Sequence, residues 1–220
     1  MSSTSAIEGT GRRVGLDRDD VVGRALQLVE VEGPAALTMR RLAAELDVTT
    51  TTVYWHVGSR DELIEAVIRL HSRRQAAQPL PGDTPHERIM SAVRLVWDNA
   101  IEHPALTSLA HQNGLTPVLG HPVEVTLVRE LEAAGVHGQA AADGLRSILM
   151  TISGFLVAAL RDRSAVPESR RAETLWAEVD DPGISPATVT ALTADADLPA
   201  LFEATMRAVV ASHLPTEETP

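Results

Sequence analysis

Residues 37–63, LTMRRLAAELDVTTTTVYWHVGSRDEL, constrain the fold of this chain more than any other stretch. Thr38, Thr49 and Ser59 are hydroxyl residues of the kind that caps helices, and each begins a helical pattern. Gly58 separates the second of these helices from the third. Short helices joined by such tight turns predict a helix-turn-helix module.

The middle helix of this stretch has one face that we expect to be buried. Val53 and Val57 are four positions apart and pack against the core, so the opposite face is left in solvent. The alternative is that the neighbouring Tyr54 and Trp55 are core aromatics, but adjacent residues on a short helix cannot both point inward. An exposed helix with hydroxyls at its N-terminus is typical of a helix that enters the DNA major groove. The residues predicted on this face are Thr49, Thr50, Thr51, Thr52, Tyr54, Trp55 and His56.

Helical signals continue along the rest of the chain, and strand signals are nearly absent. Asp17 is predicted to cap the first helix, and residues 84–87 form a capping box with Pro at the first helical position. Pro122 is predicted to begin a helix that ends near Gly135. Further helices are predicted at 105–113, 139–162 and 198–214, and residues 164–197 are predicted to form a loop with one or two short helices.

Charge is divided unevenly along the chain, whose formal net charge is −11. Residues 1–74 carry 10 Arg and 11 acidic residues, whereas residues 75–220 carry 9 Arg and 19 acidic residues. An evenly spread negative charge would oppose DNA binding, because phosphates repel it. The nearly neutral first third is therefore the part suited to DNA.

Several function classes are disfavoured by composition and motif. The chain has no Cys, which excludes disulfides, thiolate metal sites and Cys nucleophiles. It has no Gly-rich phosphate loop and no G-x-S-x-G, and its histidines lack metal-ligand spacing. Asp98 and Glu102 lie one turn apart, an arrangement far more common on a solvated helix face than in a catalytic dyad. We therefore predict no enzyme, no cofactor and no metal.

The compartment is predicted from the N-terminus and from hydropathy. Residues 1–13 lack the apolar segment of a secretory signal. We expect no apolar run to approach the roughly 20 residues that span a bilayer. The sequence thus predicts a cytoplasmic protein with no membrane partner.

Residues 17–68 carry a resemblance to a known family. The pattern LT-x-R-x-LA-x-x-L-x-V, followed by T-x-YWHV and S-R-D-E-L, resembles the DNA-binding domain of the tetracycline-repressor (TetR) family of transcriptional regulators. The tetrad YWHV is especially similar to the tetracycline repressors themselves. The resemblance implies an all-α chain, with an N-terminal three-helix helix-turn-helix domain followed by a helical-bundle ligand-binding and dimerisation domain.

The resemblance also implies a role for each matching residue. Thr38 caps its helix and touches phosphate, Arg40 reaches a base, and Arg60 holds a phosphate where the family usually has Lys. Thr50, Thr51 and Thr52 read the groove, and Tyr54, Trp55 and His56 lie against the sugar-phosphate backbone. Two departures stand out: Asp47 replaces the usual turn Gly, and Gly58 replaces a residue that is often basic.

These features together predict a repressor that binds a palindromic operator in double-stranded DNA as a homodimer. Its predicted parts are a flexible arm (1–15), a DNA-binding domain (16–62), a connecting helix and linker (63–83), a ligand-binding and dimerisation domain (84–214) and a tail (215–220). We expect dimerisation through 139–162 and 198–214, where Ala204, Ala208 and Ala211 permit close helix approach, although alanines also simply favour helices.

An apolar or amphipathic small-molecule effector is expected in the bundle, because few charges fall on inward positions. The polar candidates could equally lie on a solvent-exposed loop or helix end, and Trp97 could be core alone. The alternative function is a helical small-molecule-binding or scaffolding protein that uses the helix-turn-helix only structurally. The candidate effector residues are Trp97, His111, Gln112, Asn113, Met150, Ser153 and Phe155.

Overall fold

The computed structural model describes the backbone of residues 16–161 and 168–215. This part of the chain forms eleven α-helices and one short 3-10 helix, without strands, so the all-α prediction is confirmed. The predicted arm at 1–15 and the tail beyond residue 215 lie outside the described residues. The chain divides into two compact units between Val67 and Ile68.

The first unit is a three-helix module followed by the start of a fourth helix. Helix α1 packs against α2 and α3, and α2 packs against α3. The core between them is apolar and closely buried, with Val21, Leu26, Leu42 and Val53 each at most 1% exposed. The elements are α1 (Arg18–Glu32), the 3-10 helix (Pro34–Ala36), α2 (Met39–Glu45), α3 (Thr50–Val57) and α4 (Arg60–Ala76), and α4 continues past the boundary.

Side-chain caps begin each of these four α-helices, as the sequence predicts. The backbone N–H of Asp20 donates to the Asp17 carboxylate at 2.8 Å. The backbone N–H of Thr52 donates to Thr49 Oγ1 at 3.2 Å. Ser59 and Glu62 form the predicted reciprocal capping box. Each cap satisfies a donor that helix geometry leaves unpaired.

The turn between α2 and α3 uses Asp47 in the left-handed conformation, with φ of 53°. The N–H of Val48 donates to the carbonyl of Ala43, and that of Asp47 to Ala44, which is the Schellman arrangement that ends many helices. Glycine is usual at this position, and Asp is one of the few other residues that tolerates it. The helix therefore ends correctly although the usual Gly is absent.

The second unit is a helical bundle built around α5. Helix α5 packs against α6, α7, α8 and α11, and α8 packs along α11. The predicted capping box of Thr84 and Glu87 begins α5. The helices of this unit after α4 are α5 (Pro85–Glu102), α6 (Pro104–Gln112), α7 (Thr116–Ala133), α8 (Gly138–Arg161), α9 (Glu168–Ala177), α10 (Pro186–Leu192) and α11 (Leu198–His213).

The predicted start of α7 at Pro122 is wrong. The helix begins at Thr116, and Pro122 lies inside it. Pro117 occupies the first turn, where the missing N–H of proline costs nothing. Pro122 removes only one backbone donor from the helix interior, and the Thr126 hydroxyl donates to its carbonyl at 3.2 Å. Residues 164–197 are predicted as a loop with one or two short helices, and the described part of this segment contains two, α9 and α10.

Aromatic packing organises the bundle core. Trp97 of α5 stacks on Phe202 of α11 with ring centroids 4.4 Å apart and an interplanar angle of 22°. Phe155 of α8 meets Phe202 edge-on at 5.4 Å. Such contacts add to the roughly 1.5–3 kcal/mol gained by burying each large apolar side chain. One cluster therefore joins three helices from distant parts of the sequence.

Helix α8 is more apolar than expected. Residues Gly138–Leu160 are long and apolar enough to cross a membrane by length and composition alone, which corrects the expectation that no apolar run would reach that length. Within this stretch, Asp143 and Arg146 interrupt the apolar pattern and form an ion pair with each other. Only 17% of the most apolar window is buried within one chain, so much of α8 is left uncovered.

Candidate DNA-binding and ligand sites

Helix α3 presents the outward face that its sequence predicts. Val53 and Val57 are at most 4% exposed, whereas Tyr54 is 50% and Trp55 81% exposed. The rings of Trp55 and His56 meet edge-on with centroids 4.8 Å apart. Since large aromatic side chains are rarely left so exposed without a binding partner, this face is a candidate contact surface.

The four consecutive threonines of α3 have different environments. Thr49 and Thr52 bond to each other through their hydroxyls at 2.9 Å while Thr49 caps the helix. Thr50 is half-buried, and Thr51 is exposed with its hydroxyl in none of the described hydrogen bonds. Thr51 is therefore the hydroxyl most available to a base edge, and Thr49 and Thr52 hold the helix start in shape.

Arg40 and Arg41 are neighbours on α2 with different surroundings. Arg41 forms ion pairs with Glu32 at 2.8 Å and with Glu45 at 2.7 Å. Arg40 is exposed and enters none of the described ion pairs. Of these two guanidinium groups, only that of Arg40 is available for a base or a phosphate.

Glu45 is the centre of this ion-pair network. Arg24 of α1 donates a hydrogen bond to its carboxylate, and this bond is the main cause that lowers the pKa of Glu45, with the charge of Arg41 adding to it. The network connects α1 to α2 on the surface of the first unit. Sequence reasoning missed it, although the i,i+4 spacing of Arg41 and Glu45 was a signal.

Gly58 and Arg60 lie at the start of α4. The backbone N–H of Ser59 donates to the Glu62 carboxylate at 2.6 Å, which lowers the pKa of Glu62. A Cβ on Gly58 would stand 2.2 Å from that carboxylate, and Gly58 has φ of +75°. The positive φ therefore favours glycine at this position. Arg60 itself is exposed.

The seven candidate effector residues do not form one group. The structure brings Trp97 and Phe155 together, with centroids 6.4 Å apart, as part of the aromatic core. The amides of Gln112 and Asn113 donate within their own helix, to Ser108 and to the carbonyl of Leu109. The candidates on the bundle surface are His111, Gln112, Asn113, Met150 and Ser153, all exposed.

The second half of α4 is tied to the bundle by three buried polar side chains. His71 Nε2 lies 2.8 Å from Asn99 Oδ1 of α5, and the Ser72 hydroxyl donates to the carbonyl of Leu119 in α7 at 2.5 Å. Gln75 donates to the carbonyl of Leu95 at 3.3 Å. The sequence analysis did not predict these contacts. The pattern that could have indicated them is a set of polar residues at positions 71, 72 and 75 on the inward face of an amphipathic helix.

A cavity of about 340 Å³ opens between this half of α4 and the first turns of α7. Arg69 and Arg73 of α4 and His121 of α7 line it, together with Glu124. No sequence feature indicated it, because the two helices are distant in the chain. In the described part of the chain, His, Asp and Glu form no cluster of three that could hold a metal ion.

Helices α8 and α11 each expose large apolar side chains to solvent. On α8, Met150 is 78% and Val157 50% exposed, and on α11 Leu201 is 51% exposed. Ala204, Ala208 and Ala211 are all exposed on α11. Because α8 and α11 pack side by side, these residues lie on two neighbouring helices. These exposed apolar side chains make α8 and α11 a candidate interaction surface.

Comparison with known proteins places the first unit in a described family. Residues 22–67 match the model of bacterial regulatory proteins of the tetR family. A 107-residue stretch is 33% identical to the class E tetracycline repressor protein of Escherichia coli, and covers 45% of this chain and 44% of that protein. An HTH-type transcriptional regulator of Saccharopolyspora erythraea is 26% identical over 187 residues, 84% of this chain and 73% of that one.

Solved structures extend the likeness to both units. SCO7222, a TetR from Streptomyces coelicolor, superimposes with a TM-score of 0.71. The superposition covers 90% of this chain and 98% of SCO7222 at 24% sequence identity, which shows a shared fold. The TetR family protein ActR of Streptomyces coelicolor, in complex with actinorhodin, has a TM-score of 0.68 and 25% identity over 90% of this chain and 97% of its own. Residues 22–67 of this chain therefore form a DNA-binding domain of the tetR family, and the described chain shares the fold of TetR-family structures.

Proposed function

We propose that this regulator is a repressor that binds a palindromic DNA operator as a homodimer and is released by a small-molecule effector. The outward face of α3 carries the proposal: Thr51, Tyr54 and Trp55 are exposed while Val53 and Val57 fix the helix against the core. A helix held in this way can enter a major groove with its N-terminal residues at the base edges.

The proposed DNA contacts divide by chemistry. Arg40, with a guanidinium outside the described ion pairs, reaches a guanine edge, where a bidentate bond is possible. Thr50, Thr51 and Thr52 lie toward the groove, with Thr51 the most accessible. Contacts to the sugar-phosphate backbone position the helix, and come from Thr38, Thr49, Tyr54, Trp55, His56 and Arg60.

Dimerisation is proposed through α8 and α11. A surface that exposes Met150 and Val157 beside the small side chains of Ala204 and Ala208 suits helix-on-helix packing, since alanines let helices approach closely. Covering it with a second copy also removes the exposed apolar face of α8 from water. Met150 and Ser153, candidates for effector contact by sequence, are reassigned by this proposal to the dimer surface.

The effector is proposed to act through α4. This helix is continuous from Arg60, at its first turn, to the buried His71, Ser72 and Gln75 in the bundle. An effector that shifts those contacts moves a helix that also carries a proposed phosphate contact. Trp97 and Phe155 remain the proposed apolar wall near the effector. The effector must bind the DNA-free form better, and operator DNA must weaken effector binding by the same factor.

The proposed domain limits follow from these roles. Residues 16–62 bind DNA, residues 63–83 connect, and residues 84–214 bind the effector and dimerise. The described unit boundary, between Val67 and Ile68, falls inside the proposed connecting segment. We propose a cytoplasmic location, as for other regulators that act on chromosomal DNA.

A gel shift with the DNA upstream of the chain's own coding sequence tests the proposal. We expect a saturable complex that survives excess unrelated duplex, because base contacts should discriminate by several orders of magnitude over non-specific binding. The control is the same protein with a shuffled duplex of equal length. If both duplexes bind equally, or neither binds, the chain is a helical binding or scaffolding protein in which the helix-turn-helix serves only the fold.

A further inference from the structure

The cavity between α4 and α7 differs in charge from the domain around it. The second unit, residues 68–220, carries seven more acidic than basic residues, from 12 Arg and 19 acids. The cavity wall instead combines two guanidinium groups, Arg69 and Arg73, with one carboxylate, Glu124. Arginine stays charged at every physiological pH, so one wall of the cavity presents fixed positive charge within an acidic unit.

Helix geometry places the two guanidinium groups together. Arg69 and Arg73 are four residues apart on α4, and therefore share one face. His121 faces the same cavity from α7 and adds an imidazole that can donate a hydrogen bond. Among the residues the structure describes, Arg73 and Glu124 take part in no ion pair, so the cavity does not neutralise itself through them.

The rest of the wall is apolar. Pro117, Val118 and Pro122 of α7 line the cavity opposite α4, and prolines offer a rigid surface without an N–H donor. The volume of about 340 Å³ lies within the range of about 300–1,000 Å³ that small-molecule sites occupy. A site with one apolar wall and one cationic wall fits a ligand with an apolar body and a single anionic group.

From this arrangement we infer that the α4–α7 cavity binds an amphipathic carboxylate, with the carboxylate held by Arg73 and His121 and the apolar body against Pro117, Val118 and Pro122. A carboxylate accepts two parallel bonds from a guanidinium, which gives geometry as well as charge. The inference rests on the proposed effector-responsive function, names the chemical class of the effector, and places it in this cavity instead of against Trp97 and Phe155, which do not line it. The site includes Ser72, whose hydroxyl ties α4 to α7, so a bound ligand stands at the junction of the two helices.

Calorimetric titration of the full chain with 1-naphthoate and with 1-naphthamide tests the inference, because the two probes share a body and differ in charge. We expect the acid to bind at least about tenfold more tightly than the neutral amide. Arg73→Gln should weaken naphthoate binding about tenfold and leave the amide unchanged. Arg74→Gln is the matched control, since Arg74 is exposed on the same helix outside the cavity, and should change naphthoate affinity less than about twofold.

A second variant tests the sign of the charge effect. Glu124→Gln removes the carboxylate from the cavity and should strengthen naphthoate binding without affecting the amide. Equal affinity for acid and amide, equal effects of Arg73→Gln and Arg74→Gln, or no saturable naphthoate binding up to about 1 mM would overturn the inference. Gel shifts on the same protein separate the two proposals: naphthoate binding without operator binding refutes the regulator, and operator binding without naphthoate binding refutes only the carboxylate site.

Discussion

Arg94 of α5 donates from its Nε to Glu203 Oε2 of α11 at 3.0 Å, a contact between residues 109 positions apart. Arg207 also donates to Glu203 through two nitrogens, at 3.1 and 2.8 Å. The hydrogen bond from Arg94 is the largest cause that lowers the pKa of Glu203 to about 2. The carboxylate therefore stays ionised at neutral pH and holds two arginines beside the aromatic core.

Glu203→Gln should lower the free energy of unfolding by about 0.5–1 kcal/mol at pH 7, a small effect because Arg94 and Arg207 are substantially exposed and solvent screens the pair. The pKa of the Glu203 carboxyl is lower in the folded state than its ordinary value of 4.5. The stabilisation from its ionised form is therefore fully present above pH 4.5 and is lost as the pH falls toward 2. Urea titrations from pH 7 to pH 2.5 measure it.

The difference between wild type and Glu203→Gln should shrink across the acid part of that range. Glu102→Gln is the control, because Glu102 is exposed at the end of α5 and outside the described ion pairs. A difference that stays constant from pH 7 to pH 2.5 would show that Glu203 acts through packing and not through its charge.

Arg40→Ala should weaken operator binding by about 1–3 kcal/mol and relax the preference at one base pair in each half-site, because a guanidinium can hold a guanine edge with two bonds. Arg41→Ala is the matched control, since Arg41 is already paired with Glu32 and Glu45. It should lower stability and leave base preference unchanged. Binding of a set of single-base operator variants measures both effects, and unchanged preference in Arg40→Ala would refute the base contact.

Asp47→Ala should lower the free energy of unfolding by about 0.5–1 kcal/mol, because alanine lacks the side chain that eases the left-handed conformation at φ of 53°. Asp47→Gly should remain within about 0.5 kcal/mol of wild type, since glycine adopts this conformation freely but loses more entropy on folding. Thermal unfolding of both variants measures the difference. Equal stability of Ala and Gly at this position would contradict the account of the α2–α3 turn.

The turn and the helix starts show what the sequence could predict. Caps such as Asp17 and Thr49 act over three residues, so the local pattern determines them and the structure confirms them. The outward face of α3 was equally predictable, because Val53 and Val57 leave only one face to bury. The start of α7 was not, since Pro117 and Pro122 both carry a start signal and the local pattern does not choose between them.

The cavity proposed as the ligand site depends on contacts that no local pattern contains. His111 follows an apolar run and had the pattern of a pocket residue, yet it is exposed at the end of α6. The cavity is instead formed by α4 and α7, whose lining residues Arg73 and His121 are separated by two further helices in the chain. Which helices become neighbours is decided by packing across the bundle, and the spacing of residues within one helix does not report it.

Ala208→Arg should weaken the proposed homodimer by at least about tenfold, because a charged side chain replaces a small one on a helix face that must approach a second copy closely. Ala191→Arg on α10 is the control, as an exposed alanine in a helix outside the proposed dimer surface. Sedimentation velocity over a concentration series measures both. A dimer equally stable in both variants would exclude α11 from the interface.

The spacing of the operator half-sites gives the most direct test of DNA binding by a pair of α3 helices. Fluorescence anisotropy would compare the native operator with duplexes in which about five or about ten base pairs are inserted between its half-sites, because a dimer reads half-sites separated by a fixed number of helical turns. The account predicts a large loss of affinity with the half-turn insertion, because that insertion turns one half-site to the opposite side of the duplex. It also predicts that two chains bind to each native operator. Equal affinity for the native operator and the half-turn insertion would contradict it.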